Sequence, residues 1–180
     1  MVTEVDKLIE RAARAAFFFR DYVSLVHGWE VRRHQEGLFD ALQALTDGTL
    51  KDMDGNPTNK LMALQPPGSG KTDSLTEYNS FMIGRACQAG MVPQVGFVCY
   101  ADDVATLRSM AVRDTIDLKE MYKLVFPEAI PLKDKRWASH EWFLKRPDPS
   151  QKDPTFRSAG ITGQILSFRF PTLITVDDPH

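Results

Sequence analysis

A triphosphate needs many hydrogen-bond donors in a small concave space, and a loop between a strand and a helix supplies them through its backbone N–H groups. The stretch Gln65-Pro66-Pro67-Gly68-Ser69-Gly70-Lys71-Thr72 has the residue types for such a loop. Gly68 and Gly70 permit close backbone approach, Lys71 would reach the β- and γ-phosphates, and the Thr72 hydroxyl would meet Mg²⁺. The full spacing is Gly-x-x-x-x-Gly-Lys-Ser/Thr, and Gln65 stands where its first glycine belongs. The bland alternative is a Gly-Ser-Gly-Lys-Thr turn that only starts a helix.

Such a site also needs acids at the end of a buried strand, to hold the metal opposite the hydroxyl and to aim a water at the γ-phosphate. Leu173-Ile174-Thr175-Val176-Asp177-Asp178 provides that pattern. Asp177 would hold the Mg²⁺ hydration shell, and Asp178 would orient or deprotonate the water. Its alternative is a strand ending in an ordinary Asp-Asp-Pro turn. Together the two segments predict an ATPase that uses ATP and Mg²⁺. His27, His34, His140 and His180 have no metal-ligand spacing and are assigned no metal.

The elements that must carry these groups are legible as periodicity. Val5, Leu8, Ile9, Ala12, Ala16, Phe19, Val23 and Val26 recur at helical spacing, which predicts one amphipathic helix over Glu4–His27, ended by Gly28. A second helix is expected over Gln35–Leu45, then a turn-rich loop over Asp52–Asn59. The run Leu61–Leu64 reads as a short buried strand, followed by the Pro-Pro-Gly turn and a helix from Lys71 to about Ala89. A further buried strand fits Val95–Tyr100, and one or two helices fit Asp102–Lys123. Between Lys133 and Gly160, Trp142–Leu144 and Thr155–Arg157 read as a peripheral hairpin; Leu173–Val176 is the last strand. The alternation of β and α predicts an α/β fold.

Bulk properties bound the class without naming a function. The chain has 180 residues, a formal net charge of −2, 43% hydrophobic and 26% charged residues, so it fits one globular domain and contradicts a disordered class. A net charge near zero means that any DNA contact must use a local basic patch. Cys87 and Cys99 share no metal spacing, follow no secretory signal and read as reduced core thiols. Ala12–Phe19, the most apolar early stretch, is interrupted by Arg14 and far too short for a membrane span. Phe17, Phe18 and Phe19 read as core or partner-contact residues. A soluble, intracellular protein is expected.

Several separated segments resemble the ATPase domain of the large terminase subunit of tailed bacteriophages, the motor that pumps DNA into the procapsid. They are His34-Gln35 opening a helix that reads Gly37-Leu38-Phe39-Asp40-Ala41-Leu42; Leu64 through Thr72; Cys99-Tyr100-Ala101-Asp102-Asp103-Val104-Ala105; and Ile161-Thr162-Gly163 leading to Leu173 through His180. Their order and spacing resemble that family from about Trp29 onward. The resemblance implies a P-loop NTPase of the additional-strand type, with a central, mainly parallel sheet flanked by helices, and residues 1–28 as an N-terminal helical segment of one ATPase domain. It implies that Gln35 reads the adenine edge, that residues 65–72 bind the nucleotide, that Thr72 and Asp177 hold the metal, and that Asp178 and Lys71 act in catalysis. It also implies an arginine finger on a neighbouring subunit's nucleotide; Arg169 stands nine residues before Asp178, with Arg108 and Arg113 as weaker candidates. Where the family reads Thr-Gly-Arg, this chain has Thr162-Gly163-Gln164, and Asp178 stands where many members have glutamate. The implied partners are double-stranded DNA, the portal protein and the small terminase subunit, in a homo-oligomeric ring in the host cytoplasm, with no membrane.

Members of that family continue into a further strand and a nuclease domain that this sequence does not contain. The reading is therefore of an N-terminal fragment that needs a C-terminal complement, with its sheet truncated and a hydrophobic β edge unpaired. Two other classes fit the same motifs: a helicase-like or repair ATPase, and a nucleotide-binding assembly module with negligible turnover. The loop makes one prediction for all the hydrolytic readings. Lys71→Ala is expected to abolish nucleotide hydrolysis, because it removes the cation that neutralises developing phosphate charge; unchanged phosphate release would place the site elsewhere.

Overall fold

A computed structural model describes residues 3–133, 137–146, 148, 151–163 and 169–178. They gather into two compact units, one up to Ser74 and one from Leu75 onward.

The first unit is helical. Thr3 and Asp6 open helix α1 (Glu4–Ala15) with a capping box: Thr3 Oγ1 accepts the Asp6 N–H at 3.1 Å and Asp6 Oδ2 accepts the Thr3 N–H at 2.8 Å. The single helix expected over Glu4–His27 is in fact two, α1 and α2 (Phe19–His27). The break has a cause 24 residues away in sequence. Gln43 accepts the Phe19 N–H at 2.8 Å and donates to the Phe17 carbonyl at 3.1 Å, capturing backbone groups that a continuous helix would satisfy internally. Gly28, at φ 68°, then ends α2 in the left-handed conformation.

Helix α3 (Glu36–Thr46) follows a short 3-10 turn at Arg33–Gln35. Phe19 is fully buried and stacks on Phe39 at 4.8 Å, and Tyr22, Val23, Leu38 and Leu42 complete this core. Phe17 and Phe18 remain half exposed, so only one of the three phenylalanines is a core residue.

The Asp52–Asn59 loop forms as its residues require, with the Asp52 carboxylate accepting the N–H groups of Asp54 and Asn56. Leu61–Leu64, expected as a buried strand, is not one. Met62 is 85% and Leu64 is 90% exposed, and the segment joins no ladder. A strand is made by its partner's N–H and C=O groups. Among the described residues the first unit has no strand, only a bridge between Lys51 and Pro57.

The second unit is α/β. Strand β1 (Val95–Cys99) lies at its centre, with β3 (Phe156–Gly160) and β4 (Leu173–Val176) parallel to it on either side and β2 (Glu141–Trp142) antiparallel outside β3. All five residues of β1 are buried, as expected of a strand covered on both faces. Helix α5 (Asp102–Leu118) packs on β3 and β1, and α6 (Glu120–Val125) follows it. Helix α4 (Lys71–Gln88) carries Glu77, whose carboxylate accepts from Ser80 at 3.0 Å and lies 3.4 Å from the Thr115 hydroxyl of α5.

The hairpin expected between Lys133 and Gly160 is found only in part. Trp142 and Phe156 do pair and stack, with centroids 5.1 Å apart, but β3 is interior to the sheet rather than peripheral. Ser158, Ala159 and Gly160 hide this from an apolar pattern, yet their small size is what admits α5: a Cβ on Gly160 would stand 2.9 Å from the Asp102 nitrogen. Residues 134–136, 147 and 149–150 of that segment lie outside the described residues.

Strand β4 ends the sheet, and among the described residues nothing pairs with its other edge. Ile174 and Val176 are about half exposed. Cys99 is buried; the Cys87 thiol is pushed up to about 12, chiefly by burial and secondarily by Glu128, so it stays protonated and unreactive at neutral pH. No helix among the described residues is long and apolar enough to cross a membrane.

Gly84 of α4 lies against Phe126, so close that an added Cβ would stand 2.2 Å from a ring carbon. Helix propensity favours alanine there by about 1 kcal/mol, and overpacking costs about 1–3 kcal/mol. Gly84→Ala is therefore expected to lower stability in denaturant unfolding; a gain would show that Phe126 yields freely.

Candidate functional site

The phosphate-loop candidate is built as a tight turn. Pro67 at the second position, Gly68 at φ 77° in the third and the Ser69 N–H on the Pro66 carbonyl at 3.3 Å give Pro66–Ser69 the signature of a type II turn. Gly70 follows at φ 79°, again in the left-handed region that only glycine enters freely. Gln65 has a job there that a glycine could not do: its Oε1 accepts the Ser69 hydroxyl at 3.1 Å. The loop then delivers Lys71 and Thr72, half-buried, as the first two residues of α4, with the Ser74 N–H on the Gly70 carbonyl at 3.0 Å.

The Ser69 carbonyl points at the residues before α3. Gln35 Nε2 donates to it at 3.1 Å and His34 Nε2 lies 3.3 Å from it. The other end of the Gln35 amide accepts the Arg32 N–H at 3.1 Å. Gln35 thus stands beside the loop, but its amide is bonded to backbone at both ends.

The acids belong to the second unit and lie at the carboxyl edge of its parallel strands, the edge at which open α/β sheets bind ligands. The Asp177 N–H bonds the Val98 carbonyl at 2.8 Å, and the residue is only 4% exposed. Asp178 is exposed, at φ 41°. A non-glycine residue held there costs on the order of 1 kcal/mol and is a pointer to function rather than proof of it.

The same edge gathers two of the other segments singled out from sequence. Ala101 precedes α5, and Asp102 at its start accepts the Gly160 N–H at 2.6 Å. The Gly163 N–H closes onto the Gly160 carbonyl at 2.8 Å, and a Cβ on Gly163 would stand 3.3 Å from Asp102 Oδ1. Segments 99–105, 161–163 and 177–178 therefore meet around the ends of β1, β3 and β4. Gln164, Pro179 and His180 lie outside the described residues.

Arg169 is elsewhere in this unit. It is exposed and lines a cleft of about 670 Å³ with Gln94, Lys152, Asp153 and Phe170, where β1 and β4 begin. The length of β4, roughly 13 Å of extended chain, separates it from the acids at the other end. Arg113 pairs with Asp114 at 3.1 Å and lies over the Trp137 ring at 5.9 Å, while Arg108 is half-buried on α5.

Sequence reasoning missed the polar contacts that fix these parts. Asn79, fully buried on α4, accepts the Thr175 hydroxyl of β4 at 3.0 Å and donates to the Leu75 carbonyl at 2.7 Å. An asparagine within an otherwise helical pattern was its only signal.

Thr72 and Asp177 each carry oxygen alone, the donor type that hard divalent cations take. Among the described residues no three His, Cys, Asp or Glu side chains form a metal cluster. No family model matches the chain, and comparison with curated proteins and with solved structures finds no match. The functional reading rests on the residues and their placement.

The Asn79–Thr175 bond can be measured directly. Asn79→Ala strands the buried Thr175 hydroxyl and is expected to cost about 1–3 kcal/mol. Asn79→Leu combined with Thr175→Val should cost less than the sum of its single substitutions; strict additivity in denaturant unfolding would mean the bond contributes nothing.

Proposed function

We propose that this chain is a Mg²⁺-dependent P-loop ATPase domain of the additional-strand type, acting as the motor part of a terminase large subunit that drives DNA into a procapsid. The observation that carries the reading is one of connection. The helix that opens on Lys71 and Thr72 bonds, through Asn79, to the strand that Asp177 follows.

In this reading the backbone of residues 65–72 grips the phosphates, and Lys71 neutralises charge that develops on the transferred group. Thr72 and Asp177 would hold Mg²⁺, which when bound supplies charge neutralisation across the β- and γ-phosphates. Asp178 orients the attacking water and takes its proton. Arg169, remote from its own acids, is left to serve a neighbouring protomer's nucleotide in a homo-oligomeric ring. Double-stranded DNA, the portal protein and the small terminase subunit are the partners this reading requires.

A second reading, nucleotide binding with negligible turnover, is favoured by the closed loop, whose Ser69 N–H and carbonyl are both engaged by protein groups. Single-turnover hydrolysis separates the two. Asp178→Asn is expected to lower the single-turnover rate by about 10²–10⁴ while leaving ATP affinity within a few-fold. A wild-type chain that binds ATP without hydrolysing it would select the second reading.

A further inference from the structure

We infer that His34 and Gln35 are positioning residues that set the orientation of the Ser69–Gly70 peptide in the phosphate loop, and that Gln35 does not select the base; the inference deepens the nucleotide-binding reading above and rests on it for its ligand.

A carbonyl oxygen can accept two hydrogen bonds, and that of Ser69 has two side-chain nitrogens within hydrogen-bonding distance: Gln35 Nε2 at 3.1 Å and His34 Nε2 at 3.3 Å. In a trans peptide the C=O and the following N–H point in opposite directions. Holding the Ser69 carbonyl toward residues 34 and 35 therefore turns the Gly70 N–H away from them. A phosphate loop needs that outcome, because an inward carbonyl repels an anion and an inward N–H binds it.

The surroundings leave the peptide little choice. The Ser69 hydroxyl is held by Gln65 and its N–H by the Pro66 carbonyl. Gly70 is at φ 79°, and a Cβ there would stand 2.7 Å from Gln35 Nε2, so the Gln35 amide occupies the space that the glycine leaves. Reading adenine would require the base to set the plane of that amide. Here two backbone groups set it, the Arg32 N–H and the Ser69 carbonyl, and turning it to a base would unpair both.

Two variants separate positioning from base reading. Gln35→Glu keeps the acceptor for the Arg32 N–H and loses the donor to Ser69; His34→Ala leaves the Gln35 amide in place. Hydrogen exchange of the 69–72 amides in the nucleotide-free chain is expected to speed up in both variants. Affinities for ATP and GTP should weaken by a common factor, roughly tenfold for Gln35→Glu, with the ATP-to-GTP ratio held within twofold. A Gln35→Glu chain with unchanged loop exchange and a collapsed ATP-to-GTP ratio would overturn the inference in favour of base reading. Unchanged exchange with unchanged affinities would overturn it as well. If the wild-type chain binds neither nucleotide, the functional reading fails, and the exchange result still decides whether His34 and Gln35 hold the loop.

Discussion

The parallel ladder of β3, β1 and β4 is the constraint from which the rest of the second unit follows. Strands that run the same way must end at the same edge, so whatever follows them is collected there without any contact being chosen individually. The Asp177 N–H on the Val98 carbonyl extends that ladder by one bond, and the acid pair begins where the pairing stops. Asp102 does the equivalent service between β1 and β3, by accepting the Gly160 N–H. Glycine at 160 and 163 is what lets the helix start come that close.

The first unit solves a different problem, that of holding a short loop in one defined shape with few residues. Two left-handed glycines, one type II turn and the Gln65–Ser69 bond fix the backbone from inside, and residues 34 and 35 fix it from outside. Each such neutral bond contributes about 0.5–1.5 kcal/mol net, so no one of them holds the loop alone. A glycine at 65 would lose the side-chain acceptor, which explains how this chain can depart from the usual first position of the motif and retain a defined loop.

How much of this the sequence revealed depended on whether the cause was local. β1 is legible because its apolar run is buried on both faces, β4 because its run is β-branched although only Thr175 is buried, and α4 and α5 because their helical patterns are long. Leu61–Leu64 has the same apolar look as β4, but strand pairing belongs to the partner, and composition cannot report a partner. The break between α1 and α2 comes from Gln43, a residue far along the chain. β3 was hidden by the small residues that its packing demands. Within the site, the residue types of the loop and the acids were readable, while the bonds through Asn79, Asp102 and His34 were not, since each joins elements whose adjacency is known only after folding.

If the proposed function holds, the loop at 65–72 and the acids at 177–178 act on one nucleotide. A crystal structure of the chain with Mg²⁺ and a non-hydrolysable ATP analogue tests it most directly. The account predicts the Thr72 hydroxyl in the inner shell of the ion, at about 2.1 Å, Asp177 on its waters, and Asp178 facing the γ-phosphate. A nucleotide bound away from Gly68–Thr72, or held there with both carboxylates turned from it, would contradict the account.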